Sequence, residues 1–113
     1  MQISTFMIDK ELFALPALQV EEFFRAMPVT KVYGADRRID GLVNIRGRTA
    51  VVINMRQCMG VAQSSDLQDS EMILLETSHG LVAEAKQMGL FAFEEPLILR
   101  VDSISHIHSL EGS

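Results

Sequence analysis

Residues 41 to 60, GLVNIRGRTAVVINMRQCMG, restrict the backbone more than any other part of the chain. Two apolar runs rich in Val and Ile flank Gly47, and each is too short for a helix of ordinary length. β-Branched side chains are stiff at χ1 and pack well on a pleated surface, so both runs read as strands. Gly47 is the natural place for the chain to turn, because glycine tolerates a positive φ. The second run, Thr49 to Met55, is continuously apolar and is expected to be buried on both faces.

The same signal recurs along the chain. Ile3, Phe6 and Ile8 lead into Asp9-Lys10-Glu11, and Leu12 to Leu15 follow, which predicts a hairpin ended by Pro16. Residues 17 to 26 place Ala17, Val20, Phe23 and Phe24 at helical spacing, so a short helix ended by Pro28 is expected. Residues 29 to 40 read as a polar connector, residues 56 to 71 as loop, and Met72 to Leu75 as another strand. Residues 77 to 96 stay open between two readings. AEAKQMG favours a helix capped at Gly89, while LVAEA and LFAF also suit short strands. After Pro96, LILRVDSISHIHSL reads as a strand interrupted by a kink.

Many short strands, one or two short helices and no alternation of strand with helix predict a mostly β chain. A small antiparallel barrel, or two packed together, fits best. One module over residues 1–113 is expected at this length.

Charge narrows the partners. A net charge of −5 suits neither a phosphate backbone nor an anionic membrane surface. No run approaches the ~18 apolar residues of a spanning helix. The acidic residues among the first dozen do not fit a signal peptide, and one cysteine, Cys58, leaves no intrachain disulfide; both suit a cytoplasmic protein.

Signals for catalysis are sparse. Asp102, His106 and His108 recur at even spacing, which on a strand is one face and a candidate metal site. A polar outer strand face has the same pattern. Cys58 follows an apolar strand, where a buried, inert thiol is expected. The glycines Gly41, Gly47 and Gly60 are too far apart to cradle a phosphate. These residues point away from an enzyme and leave no cofactor or metal expected.

Against this background, the run Gly41-Leu42-Val43-Asn44-Ile45-Arg46-Gly47, with its following strand, Arg56 and Gly60, resembles the CheW-like domain family. The opening TFMIDKELFALP, the Val20-Glu21-Glu22 step and LILRVDSISHI extend the resemblance, with Asp102 at the family's aspartate. The resemblance implies two packed five-stranded β-barrels and a scaffold role in bacterial chemosensory signalling. Expected partners are the helical tip of a chemoreceptor, taken in a groove between the barrels, and the regulatory domain of a CheA-type histidine kinase. It implies partner-binding roles for Val20, Glu22, Asn44, Arg46 and Arg56, with Val20 giving apolar contact from a helix face and Glu22 and Arg46 giving charge. Localisation at receptor arrays near the inner membrane goes with it.

Three departures qualify the match. Ala50 stands where the family has a proline, and Asn54-Met55-Arg56 replaces Asp-Leu-Arg. The chain also stops where the family has further strands and a terminal helix. The C-terminal part of the fold is therefore expected to be incomplete, and three readings stay open: a second copy supplies strands as a homodimer or strand swap, residues 77 to 96 fill the gap, or the chain is a fragment or divergent member. Two other readings compete: an array-localisation or partitioning fragment using this fold, and a small β-barrel that binds a peptide or ligand.

Overall fold

The computed structural model describes residues 1–62, 69–88, 90 and 93–109, the last four by backbone alone. Among the described residues, eight strands form two sheets. Strands β1 (Gln2–Ile8) and β2 (Glu11–Pro16) make the expected hairpin around Asp9-Lys10, with Ile8 opposite Glu11 and Phe6 opposite Phe13. Asp9 takes a φ of 58° at the turn, a conformation aspartate visits more readily than bulky residues do. Pro16 ends β2 and leads into a 3-10 turn over Ala17–Gln19.

The helix expected over residues 17 to 26 does not form. Past the 3-10 turn the chain is strand β3 (Val20–Arg25), paired antiparallel with β6 (Glu71–Leu75). Phe23 lies opposite Ile73 and Phe24 opposite Met72. Apolar residues at 17, 20, 23 and 24 satisfy the helical period, but pairing with the apolar run Met72 to Leu75 rewards aromatic and β-branched residues more. A register shift between Val20 and Glu22 is what made the apolar spacing look helical rather than alternating.

Strands β4 (Ile39–Ile45) and β5 (Arg48–Asn54) flank a two-residue turn of Arg46 and Gly47. Both turn residues have positive φ, 51° and 82°. That is the backbone twist a tight hairpin prefers. A short helix, α1 (Met55–Cys58), opens the stretch read as loop, and Asn54 caps it by accepting from Gln57 N–H. Helix α2 (Ala83–Gln87) decides the open stretch at its centre in favour of a helix, while Gly89 and residues 91 and 92 of LFAF fall outside the described residues. Strand β7 (Leu97–Val101) follows Pro96, and after Asp102 the chain enters β8 (Ser103–Ser109), the expected kink.

One sheet has the order β2-β1-β8, the other β3-β6-β7-β5-β4. The expectation of purely antiparallel sheets needs correction, because β5 and β7 run parallel, Val51 beside Leu97 through Asn54 beside Arg100. The long connection through β6 and α2 gives the chain room to return in the same direction. At Asp102 the chain crosses from one sheet to the other within a single residue, and Asp102 N–H bonds Met7 C=O at 3.0 Å.

The five-stranded sheet curls around one core, and a bridge between Thr30, past the end of β3, and Leu42 of β4 links its two edges. Phe24 from β3 packs into the same core as Val43 and Ile45 from β4, Ala50 and Val52 from β5, Met72 and Leu74 from β6, and Ile98 from β7. Thr30 and Leu42 exchange two backbone hydrogen bonds of 2.8 Å across this seam. The approach is so close that a Cβ on Gly41, whose φ is 147°, would lie 2.1 Å from Thr30 O. Only glycine fits there.

A second core lies between the sheets. Phe6 and Ile8 of β1 meet Ile73 of β6 and Val101 of β7, with Phe13, Leu15, Val20, Leu75 and Leu99 around them. Odd and even residues of β6 therefore serve different cores, and Met72, Ile73 and Leu74 are all buried. Two-sided burial was expected for β5 instead. There Ala50, Val52 and Asn54 are buried while Val51 and Ile53 stay half-exposed. The central strands β6 and β7 are the ones sandwiched between both cores.

Candidate partner-docking surface

Two arginines that look alike in sequence have opposite surroundings. Arg46 sits at the β4–β5 turn, and its Nη2 lies 2.5 Å from Glu22 Oε1 on β3. The two side chains are 63% and 38% exposed. Beside them Arg48 pairs with Glu21 at 3.3 Å. Four charges thus line the seam where the curled sheet closes. The hydrogen bond it donates to Glu22 raises the Arg46 pKa further above its ordinary value, so the guanidinium is charged throughout the usable pH range. Asn44 holds this turn: its Oδ1 accepts from Gly47 N–H at 3.0 Å, as a polar residue at a strand end can.

Arg56, on α1, faces inward. Its Nε and Nη2 grip Asp102 Oδ1 and Oδ2 at 2.8 and 2.6 Å, a bidentate pair, and Nη1 donates to Ala62 C=O at 2.6 Å. The side chains of Arg56 and Asp102 are 19% and 26% exposed. Asp102 Oδ2 also accepts from Asp9 N–H at 2.7 Å. One ion pair thereby ties the β1–β2 turn, α1 and the β7–β8 kink together. The guanidinium holds the Asp102 carboxyl below its ordinary pKa, burial opposing it less strongly. Arg56, expected to bind a partner, has three of its N–H groups engaged within the chain.

A second internal network explains Asn54. Its Nδ2 donates to Asp40 Oδ1 at 3.1 Å, and Asp40 Oδ2 lies 2.7 Å from Arg100 Nη2. The family's aspartate at this position could cap α1 equally well, but it has no donor for Asp40. Asp40 and Arg100 also line a cavity of about 700 Å³ with Arg25, Met27, Val29 and Lys31.

Val20 stands on β3 opposite Leu75, and Phe23 opposite Ile73, so both face the three-stranded sheet. Val20 is half-buried and Phe23 is 37% exposed. This is a correction to the expected helix face, and it places Val20 against the core between the sheets. Glu22, opposite Leu74, lies on the other face of the strand and reaches the seam. The five expected site residues therefore separate into a residue at the edge of the inter-sheet core, Val20, a seam pair with its turn, Glu22, Arg46 and Asn44, and an internally paired residue, Arg56.

Sequence reasoning missed three features. Glu21–Arg48 duplicates the seam pair, and the alternation Arg46-x-Arg48 opposite two adjacent glutamates was a signal for it. Tyr33, 97% exposed, tips the connector before Gly34. Asp9 in the Arg56 cluster lies 93 residues from Asp102 and carried no local signal. Among the described residues no group of side chains is arranged to hold a metal ion. Asp102 is engaged by Arg56, and the side chains of His106 and His108 lie outside the described residues. No helix among the described residues is long and apolar enough to cross a membrane.

Two packed β-sheets, one curled around its own core, are joined by a one-residue crossover at an arginine-bound aspartate. The CheW-like domain model matches residues 2–113, and the chain belongs to that family. The crystal structure of the scaffolding protein TtCheW from Thermoanaerobacter tengcongensis superposes with a TM-score of 0.78 at 22% identity. That match covers 98% of this chain and 66% of TtCheW, so the chain spans just under two thirds of that protein's length. No curated protein matches the chain in sequence.

Proposed function

We propose that residues 1–113 act as one non-enzymatic, cytoplasmic adaptor module of bacterial chemosensory signalling. It docks the helical tip of a chemoreceptor, or the regulatory domain of a CheA-type kinase, within receptor arrays. The observation that carries this reading is the exposed Glu22–Arg46 pair, close in sequence to the partly buried Val20 and the exposed Phe23 on the same strand. An apolar centre with a charged rim is the usual anatomy of a specific protein interface. The charges steer and orient, and the apolar residues supply the burial.

In this reading Val20 gives apolar contact, while Glu22 and Arg46 exchange their mutual pairing for the partner's charges. Exposed pairs are cheap to break, so such an exchange costs little. Asn44 fixes the turn that presents Arg46, and Arg56 positions the fold without touching the partner. The function requires no cofactor, metal or nucleic acid.

A co-precipitation of the purified chain with a soluble receptor-tip hairpin, and separately with a kinase regulatory domain, tests the reading. Retention of either supports it. Retention of the receptor alone identifies an array-localisation module, and retention of neither overturns the adaptor reading.

A further inference from the structure

The outer edge of β2 is a hydrogen-bonding surface that nothing described in the chain covers. In the sheet order β2-β1-β8, β2 has β1 on one side only. The hairpin register fixes which groups point outward. Ile8 and Glu11 flank the two-residue turn as a hydrogen-bonded pair, and alternation makes Leu12 and Ala14 non-bonded partners of Met7 and Thr5. The N–H and C=O of Leu12 and Ala14 therefore point away from β1. Leu12 is 62% exposed, and Ala14 is exposed too.

Edges of soluble proteins are ordinarily guarded by charge, proline, a bulge or a covering loop. Here the middle of the strand, Leu12-Phe13-Ala14-Leu15, has no charge, and the only proline closes its end at Pro16. Phe13 and Leu15 are only half-buried against the inter-sheet core.

We propose that this edge pairs with the same edge of a second copy of the chain, antiparallel and centred on Phe13. A two-fold axis at Phe13 sets Leu12 opposite Ala14 of the other copy, and Ala14 opposite its Leu12. These are the residues whose backbone groups point outward, so the strand is complementary to itself. Each of the two pairs exchanges two bonds, and Phe13 meets its own counterpart at the close, non-bonded position. Phe6 and Phe13 already stack at 5.8 Å, so the contact extends an aromatic ladder across a six-stranded sheet. An isologous contact of this kind closes at two copies. A contact of one short strand is small, so the dimer is weak.

The inference stands apart from the adaptor reading. A chain that binds no receptor leaves it intact, and a monomeric chain leaves the adaptor reading intact. Light scattering on the full chain under reducing conditions, which keep the exposed Cys58 from bridging, tests it. A dimer near 0.5 mM that dissociates below about 10 µM is expected for so small a contact. Ala14→Pro removes an outward donor and leaves the β1 ladder whole, and it is expected to give a monomer.

Register is tested separately in a Cys58→Ser background. Leu12→Cys mixed with Ala14→Cys is expected to form an intermolecular disulfide, because directly opposite bonded residues sit about 5.5 Å apart, within the reach of a disulfide. Leu12→Cys alone is expected not to. A monomer at 0.5 mM overturns the proposal. So does a mass that keeps growing past two copies, which marks pairing of β2 with β8, or a disulfide pattern that ignores the register.

Discussion

Arg46 and Arg56 lie ten residues apart and each pairs with a distant carboxylate, yet the fold treats them in opposite ways. The Arg46–Glu22 pair stands in solvent at the seam, while the Arg56–Asp102 pair is mostly enclosed and receives a further backbone N–H. An exposed ion pair is screened and easily exchanged, so it suits a surface that must recognise something else. An enclosed bidentate pair is costly to break, because the partner left behind is desolvated. Chemical identity therefore says little about role here; enclosure by the surrounding strands decides it.

The contrast can be broken or sharpened at several positions. The largest effect belongs to the seam that carries Arg46. Gly41→Ala forces a Cβ onto Thr30 O and is expected to cost on the order of 3 kcal/mol, read as a lower denaturation midpoint. If it is tolerated, the two edges of the curled sheet are less firmly closed than the geometry requires. Next comes Arg56→Ala, expected to destabilise by about 2 kcal/mol, since charged hydrogen bonds and a half-desolvated carboxylate are lost together. Asn54→Asp is expected to cost about 1 kcal/mol: the cap on α1 survives, but a donor to Asp40 becomes a second carboxylate.

Acid titration sharpens the same contrast. Arg56 depresses the Asp102 pKa below its ordinary 3.8, so the folded state holds this proton less tightly than the unfolded chain. Its stabilisation is complete above that ordinary value and is lost as pH falls through the lower, folded one. Glu76 runs the other way. Burial raises its pKa above the ordinary 4.5, so its contribution is full below that value and is lost as pH rises through the folded one. Wild type is expected to lose stability more steeply than Arg56→Ala below about pH 4. Equal slopes in the two proteins would separate Asp102 from the acid response.

Most strands were legible in the sequence because their signals were local. The β1–β2 hairpin, the break at Gly47, β6 and the kink near Asp102 all followed from short apolar runs and their punctuation. Strand β3 was not, since a register shift beside Val20 gives its apolar residues a helical spacing. The parallel placement of β5 and β7 was invisible for a different reason: it depends on long-range pairing between runs more than 40 residues apart. For the surface, Asn44 and the turn at Gly47 behaved as their residue types imply. The division between Arg46 and Arg56 was not readable, because the partners that enclose Arg56, Asp9 and Asp102, come from the two ends of the chain.

The most direct test of the account is one variant, Arg46→Glu, followed by two readouts: calorimetric binding to a receptor-tip hairpin, and thermal melting. The account predicts binding weakened by about tenfold or more, as reversal of an interface charge does, with the melting temperature unchanged. A large drop in melting temperature, or full-strength binding by the folded variant, would contradict it.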